Sequence, residues 1–191
     1  MPSWLKEGRG SLCGANVSLL LREMGITKPL LVAGERTKNV FFARTGMRLP
    51  VFDAFHPNPD LQDCVAGAAL YQEKGCDGLI SIGGGSAMDT AKGIKALLMT
   101  DIAHVRANQL PSEGNVPHLA IPGTAGTGAE TTAVAVLYEN GQKLSVDHPA
   151  LLPDGVLLDG SLLDTLPEYH RKSCAMDALA QGIESWWAKK A

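Results

Sequence analysis

The chain has 191 residues, 45% hydrophobic and 19% charged, with a formal net charge of −3, the proportions of a soluble globular protein holding one solid core or one and a half domains. Its weakly acidic balance gives no electrostatic case for binding nucleic acid or an anionic membrane, and no run approaches the ~20 apolar residues of a membrane span. Residues 1–10 carry Lys6 and Arg9 but are followed by no apolar segment of signal-peptide length, so the expected location is cytoplasmic.

In chain order, apolar residues at helical spacing predict a helix over residues 15–24, stopped by Gly25. Residues 30–33, just after Pro29, predict a short strand and residues 50–52 a weaker one. A helix is expected over 61–74 with Gly75 as its stop, then a strand over 79–82 and a helix over 88–99. Further strands are expected at 119–121 and 134–138. Such alternation predicts an α/β fold, a parallel or mostly parallel sheet covered by helices, with ligands beyond the carboxyl ends of the strands. From Pro167 onward strand signals stop, and residues 171–190 read as a helix rich in Ala, Leu and small residues. The four cysteines (Cys13, Cys64, Cys76, Cys174) show no metal or redox spacing and read as buried small hydrophobes. No two of the five histidines have the spacing of a metal site, and His148 and His170 read as surface residues beside proline-containing loops.

Two loops carry the chemistry. The apolar run 78–82 ends in Gly83-Gly84-Gly85, after which Ser86-Ala87-Met88-Asp89 opens a helix. Glycines let backbone approach a ligand closely, and the free N–H groups and dipole of a helix N-terminus suit phosphate. The second loop, Gly123-Thr124-Ala125-Gly126-Thr127-Gly128-Ala129-Glu130-Thr131-Thr132, follows the strand ending Ile121-Pro122 and offers small residues with hydroxyls. It is not a P-loop, and the first loop lacks the ordinary dinucleotide spacing. Either loop alone could be a plain turn; two together, each after an apolar strand, point to a nucleotide.

Gly83-Gly84-Gly85-Ser86-x-x-Asp89-x-Ala91-Lys92 followed by Ile121-Pro122-x-Thr124-Ala125-Gly126-Thr127-Gly128-x-Glu130 resembles the iron-containing (group III) alcohol dehydrogenase family. Phe52-Asp53 with Pro57-Asn58-Pro59, Leu152-Pro153-Asp154 through Asp159, Met176-Asp177-Ala178-Leu179 and Ile183-Glu184 match its further motifs in order, so the similarity runs from about Pro29 to Trp187. The resemblance implies a Rossmann-like nucleotide domain over residues 1–161 and the first helices of an incomplete all-α domain over 162–191, the whole looking like the N-terminal half of an enzyme. It implies metal-assisted hydride transfer between NAD or NADP and a small alcohol or aldehyde. The pyrophosphate would lie on Gly84, Gly85 and Ser86, with Asp89 near it or the adenosine. Asn58, Thr124, Thr127, Thr132 and Lys143 would also touch the cofactor, and Leu162 would pack near the nicotinamide end or simply in the core.

Several positions depart from the family pattern. Its metal ligands, for iron or zinc, are an aspartate and a histidine four residues on, then two later histidines; here Asp177 is followed by Gln181, and the later positions lie past Ala191. A glutamine oxygen is a weak neutral ligand. The first strand runs into Gly34 where the family often has aspartate, with Arg36 close by, so NADP is an open alternative to NAD. Gly123 replaces a threonine, and the short stretch from Arg36 to Phe52 predicts a trimmed or irregular crossover helix. Two other readings stay open, a nucleotide-binding module without redox activity and a relative of glycerol dehydrogenase or dehydroquinate synthase. Leu179, Ile183, Trp186 and Trp187 on the last helix lead us to expect a homodimer or other self-association.

Overall fold

The computed structural model describes residues 5–112 and 116–188. In chain order the strands are β1 (Leu5–Glu7), β2 (Pro29–Ala33), β3 (Val51–Phe52), β4 (Gly78–Gly83), β5 (His118–Pro122), β6 (Val134–Glu139), β7 (Gln142–Asp147) and β8 (Gly155–Leu158). The helices are α1 (Gly14–Glu23), α2 (Glu35–Thr45), α3 (Leu61–Glu73), α4 (Gly85–Met99), α5 (Ile102–Arg106) and α6 (Glu168–Trp187). Six strands form one sheet in the order β1-β8-β5-β4-β2-β3, and every pairing in it is parallel. The expected Rossmann-like α/β architecture is therefore present.

Strand periodicity divides the core. Leu30 and Val32 of β2 and Leu79 of β4 join a cluster with Leu61, Cys64, Ala91 and Ile94 of α3 and α4. Their neighbours Leu31, Ala33, Ile80 and Ile82 point the other way, into a cluster with Val17, Leu20 and Phe41 of α1 and α2. Burial on both faces explains why these strands read as continuous apolar runs. On the first face α3 and α4 cross closely at glycines: a Cβ on Gly93 would stand 2.4 Å from Cys64 Sγ, and one on Gly67 2.3 Å from Ile94 Cδ1. Asp60 begins α3 with a reciprocal capping box to Asp63.

The structure corrects several expectations. The strand expected at 134–138 exists, but it lies outside the parallel sheet, paired antiparallel with β7. The hairpin turns at Asn140 and Gly141, both at positive φ, and lays Ala135, Leu137 and Val146 on the α3–α4 core. The crossover after β2 is not trimmed or irregular. Helix α2 runs 11 residues and ends at Gly46 in the left-handed region; it buries only Phe41, so its pattern was weak. Of the cysteines only Cys64 is buried, the other three being partly exposed, because Cys13 and Cys76 sit at element ends and Cys174 lies on α6, which buries no residue. His170 is exposed, as expected. His148 is half-buried, its Nδ1 accepting the Ala150 N–H and so capping a short turn. Helix α6 starts before residue 171 and has no buried residue; Lys190, its expected end, lies outside the described residues.

Candidate nucleotide-binding site

The two glycine-rich loops meet at the carboxyl ends of β4 and β5. Gly83 ends β4 at φ +152°, where a side chain is strained, and a Cβ there would stand 3.0 Å from that of Ala87. Gly84 precedes α4 with no side-chain cap, so the first N–H groups of that helix are left for a ligand. The Gly123 N–H donates to the Gly83 carbonyl at 2.6 Å, which locks the loops edge to edge. A Cβ on Gly84 would lie 3.2 Å from both Thr124 Cγ2 and Oγ1, and one on Gly85 3.3 Å from Thr127 Cγ2. Gly123 is equally constrained, its Cβ position lying 3.3 Å from Gly83 Cα. The result is a cradle of backbone and hydroxyls that any larger side chain would fill.

Lys92 fastens this cradle from beneath. It is wholly buried, and its Nζ donates to the carbonyls of Ala129 at 2.8 Å, Thr132 at 2.7 Å and Val134 at 2.8 Å, and to Thr132 Oγ1 at 3.1 Å. Burial pulls its pKa down to about 8, opposed by the charges of Asp89 and Glu130. One turn earlier Asp89 is pushed up to about 6 by burial, opposed by Lys92 and by the Val136 N–H that it accepts. Thr132 is thus part of the fastening, and Thr124 and Thr127 face the first loop. Sequence reasoning quoted Lys92 as a motif letter and gave it no role, since a lysine is rarely fully buried.

The remaining expected positions fall on two sides of the cradle. Ser86 Oγ donates to the Pro57 carbonyl, and the Tyr138 N–H of the hairpin donates to the Pro59 carbonyl at 2.9 Å. Exposed Asn58 lies between these two ties, and Lys143 pairs in register with Tyr138. Asn58, Ser86 and Lys143 therefore share the hairpin side. Leu162 lies on the other face of the sheet, in the α1–α2 core. It lines a cavity of about 140 Å³ with Arg36, Thr37, Val40, Gly123 and Thr165. A larger cavity of about 520 Å³ runs from Gly34 and Arg36 to Pro57, Gly84 and Ser86. Arg36 and Thr37 line both.

Asp177 and Gln181 are one turn apart on α6, with Gln181 Nε2 donating to Asp177 Oδ1 at 3.0 Å and to the Gly126 carbonyl at 3.3 Å. The pair faces the second loop, against which α6 packs so closely that a Cβ on Gly126 would stand 2.6 Å from the Cys174 carbonyl oxygen. Among the described residues no group of three His, Cys, Asp or Glu side chains could hold a metal ion. One carboxylate and one amide do not fit tight binding of iron or zinc.

Two aspartates of the later motifs hold the scaffold. Asp154 accepts the His118 N–H at 2.9 Å and Lys95 Nζ at 3.0 Å. Asp159 accepts the N–H groups of Gly10, Leu12 and Ser161, the Ser161 hydroxyl and Arg44 Nη1. Burial alone would raise Asp159, but the Ser161 hydroxyl and the Leu12, Gly10 and Ser161 N–H groups hold it down at about 2. It thereby fixes the short turn Gly160–Leu163 that carries Leu162.

Residues 2–160 match the family profile described as iron-containing alcohol dehydrogenase. The chain is 35% identical over 188 residues to a 4-hydroxybutyrate dehydrogenase of Cupriavidus necator, covering 90% of this chain and 49% of that protein. It is 31% identical over 201 residues to an NAD-dependent methanol dehydrogenase of Bacillus methanolicus, covering 96% and 51%. Among solved structures, a sulfoacetaldehyde reductase from Bifidobacterium kashiwanohense in complex with NAD+ superposes with a TM-score of 0.87 at 30% identity, covering 98% of this chain and 52% of that one. The chain thus spans about half the length of the relatives it matches.

Proposed function

This chain belongs to the iron-containing alcohol dehydrogenase family, and we propose that it supplies the nucleotide-holding half of an oxidoreductase acting with NAD or NADP on a primary alcohol or an aldehyde. The observation that carries the proposal is the cradle: two glycine-rich loops in backbone contact at the carboxyl ends of adjacent parallel strands, where a Cβ on Gly84 would stand 3.2 Å from Thr124 and one on Gly85 3.3 Å from Thr127. In this reading the free N–H groups at Gly85 and Ser86 bind the pyrophosphate, and Thr124 and Thr127 hydroxyls orient it. Asn58 and Lys143 reach it from the hairpin side, and Leu162 packs against it from the other. Asp89, which accepts the Val136 N–H and lies close to the Lys92 charge, stays at the edge of the phosphate site. The bound nicotinamide would supply the carbon that gives or takes hydride. Asp177 and Gln181 need donors from elsewhere to hold a metal, and no step is assigned to one.

The likeness to alcohol dehydrogenases and aldehyde reductases favours that branch over a glycerol dehydrogenase or dehydroquinate synthase type. We place the nucleotide domain at residues 1–161 and the start of a helical domain at 162–191, because α6 buries nothing, while Leu162 at the boundary still packs in the α1–α2 core. No helix among the described residues is long and apolar enough to cross a membrane, and we assign the protein to the cytoplasm. Met176, Leu179, Ile183, Trp186 and Trp187 are exposed along α6, a face that supports self-association of the isolated chain. A clean monomer at micromolar concentration in sedimentation would refute that last point.

Calorimetric titration with NAD and NADP tests the main proposal. Saturable binding to the native chain, abolished in Gly84→Val with its fold intact by circular dichroism, is the expected result. Absence of binding to well-folded native chain would sink it.

A further inference from the structure

Resting on the reading of the cradle as a dinucleotide site, we propose that Arg36 recognises a 2′-phosphate and that the chain prefers NADP to NAD. In parallel α/β sheets the adenosine ribose lies at the end of the strand beside the glycine-loop strand. A carboxylate there takes the 2′-hydroxyl, whereas an arginine accommodates the 2′-phosphate. Here the neighbouring strand is β2, and its register pairs Ala33 with Ile82, so Gly34 stands level with Gly83. Gly34 has no side chain, and a Cβ built on it would meet no atom within 4 Å. The position therefore combines open space with the absence of a carboxylate.

Among the nearby charges, Arg36 is the one placed to take an anion. Glu35 is tied back along α2 by Lys38 Nζ at 2.6 Å and Asn39 Nδ2 at 3.1 Å, and Asp53 is tied to the same lysine at 2.7 Å. The two carboxylates share one cation, Lys38, and Glu35 also lines the larger cavity. Arg36 has the opposite status: its guanidinium donates only to neutral oxygens of Thr165, Oγ1 at 2.9 Å and the carbonyl at 3.3 Å. It has no carboxylate partner among the described residues. It also lines both the 520 Å³ and the 140 Å³ cavities, which places it between the phosphate cradle and the apolar pocket at Leu162. A planar, permanently charged fork with neutral partners is suited to exchange Thr165 for the oxygens of a phosphate monoester.

The test uses fragments that need only this half of the site. Calorimetry would compare 2′,5′-ADP with 5′-ADP, and NADP with NAD, on the native chain, Arg36→Ala, Arg36→Lys and Gly34→Asp. The native chain should bind 2′,5′-ADP about tenfold or more tighter than 5′-ADP, the scale of one charge-assisted pair. Arg36→Ala should lose most of that preference while 5′-ADP affinity moves by less than about threefold, and Arg36→Lys should keep part of it. Gly34→Asp, at an ordinary φ of −71°, should reverse it. Equal affinity for the two fragments, or a preference that survives in Arg36→Ala, would overturn the inference and leave the nucleotide reading standing. If neither fragment nor either dinucleotide binds the folded chain, the nucleotide reading itself falls and takes this inference with it.

Discussion

Replacing Asp159 by asparagine keeps the shape of the side chain and removes one acceptor oxygen. In the native chain Oδ1 accepts Gly10 N–H at 2.9 Å, Ser161 N–H at 2.9 Å and the Ser161 hydroxyl at 2.6 Å, and Oδ2 accepts Leu12 N–H at 2.9 Å and Arg44 Nη1 at 3.1 Å. The less costly orientation of the amide leaves its oxygen at the three-donor position and turns its NH2 toward Leu12 and Arg44. The Leu12 N–H is then buried without a partner, a cost of about 1–3 kcal/mol, and the three retained bonds fall from charged to neutral strength. The Arg44 pair, one-third exposed on the arginine side, adds little. We expect a loss of about 3–4 kcal/mol, which at about 2 kcal/mol per molar moves the urea midpoint down by about 1.5–2 M. The carboxyl sits at about 2 in the folded chain against an ordinary 3.8. Its folded pKa is depressed, so its contribution is complete above the ordinary value and disappears as pH falls toward 2. The shift amounts to about 2 kcal/mol. Native chain should therefore lose stability through that window, and Asp159→Asn should lose about 2 kcal/mol less. A midpoint shift under about 0.5 M, or an unchanged acid slope, would refute the assignment of Asp159 as the anchor of the Leu162 turn.

Three further changes probe other parts of the site. Lys92→Met should cost about 2–4 kcal/mol by leaving three carbonyls without their donor, raise hydrogen exchange in residues 128–134, and weaken nucleotide binding; unchanged exchange there would show that the lysine does not fasten the loop. Gly126→Ala would place a Cβ 2.6 Å from the Cys174 carbonyl oxygen, so α6 should lift off the second loop and be cut faster by trypsin at Arg171 and Lys172, whereas native cleavage rates would contradict this packing. His118 is wholly buried, and burial with the charges of Lys95 and Lys92 keeps it neutral, well below its ordinary 6.5. The unfolded chain gains a proton below that value and the folded chain does not, so stability should fall as pH drops from 6.5. His118→Gln should flatten this fall in urea titrations, and an equally steep fall in the variant would exclude His118 as its source.

What could be read in the sequence was whatever depended on local pattern. The strands buried on both faces are unbroken apolar runs, and the two loops announce themselves by glycine where backbone must touch backbone. Long-range polar anchoring left no such trace. Lys92 and Asp159 look like surface residues, and only the assembled fold shows three carbonyls converging on one and five donors on the other. Helix α2 was underestimated because only Phe41 is buried, so no apolar stripe forms. The hairpin was different. Asn140-Gly141 is a strong two-residue turn signal, and attention to it would have paired residues 134–139 with 142–147 instead of adding a strand to the parallel sheet. Strand β8 was hidden inside a recognised motif, and β1 is too short to show alternation. Of the expected site residues, the glycines and Thr124 and Thr127 converge in one place, while Leu162 lies across the sheet from Asn58 and Lys143.

The pairing of β1 with β8 sets the order in which this chain can be made. Leu5 pairs with Val156, so β1 leaves the ribosome about 150 residues before its partner and must wait for it, and β8 is also the strand that covers the open edge of β5. Closing so long a loop is entropically slow. Until it closes, two unpaired strand edges face solvent in the nascent chain, the condition under which α/β domains aggregate or engage chaperones. Synthesis that stalls before Gly155 leaves a cradle with both loops present and no finished sheet to hold them.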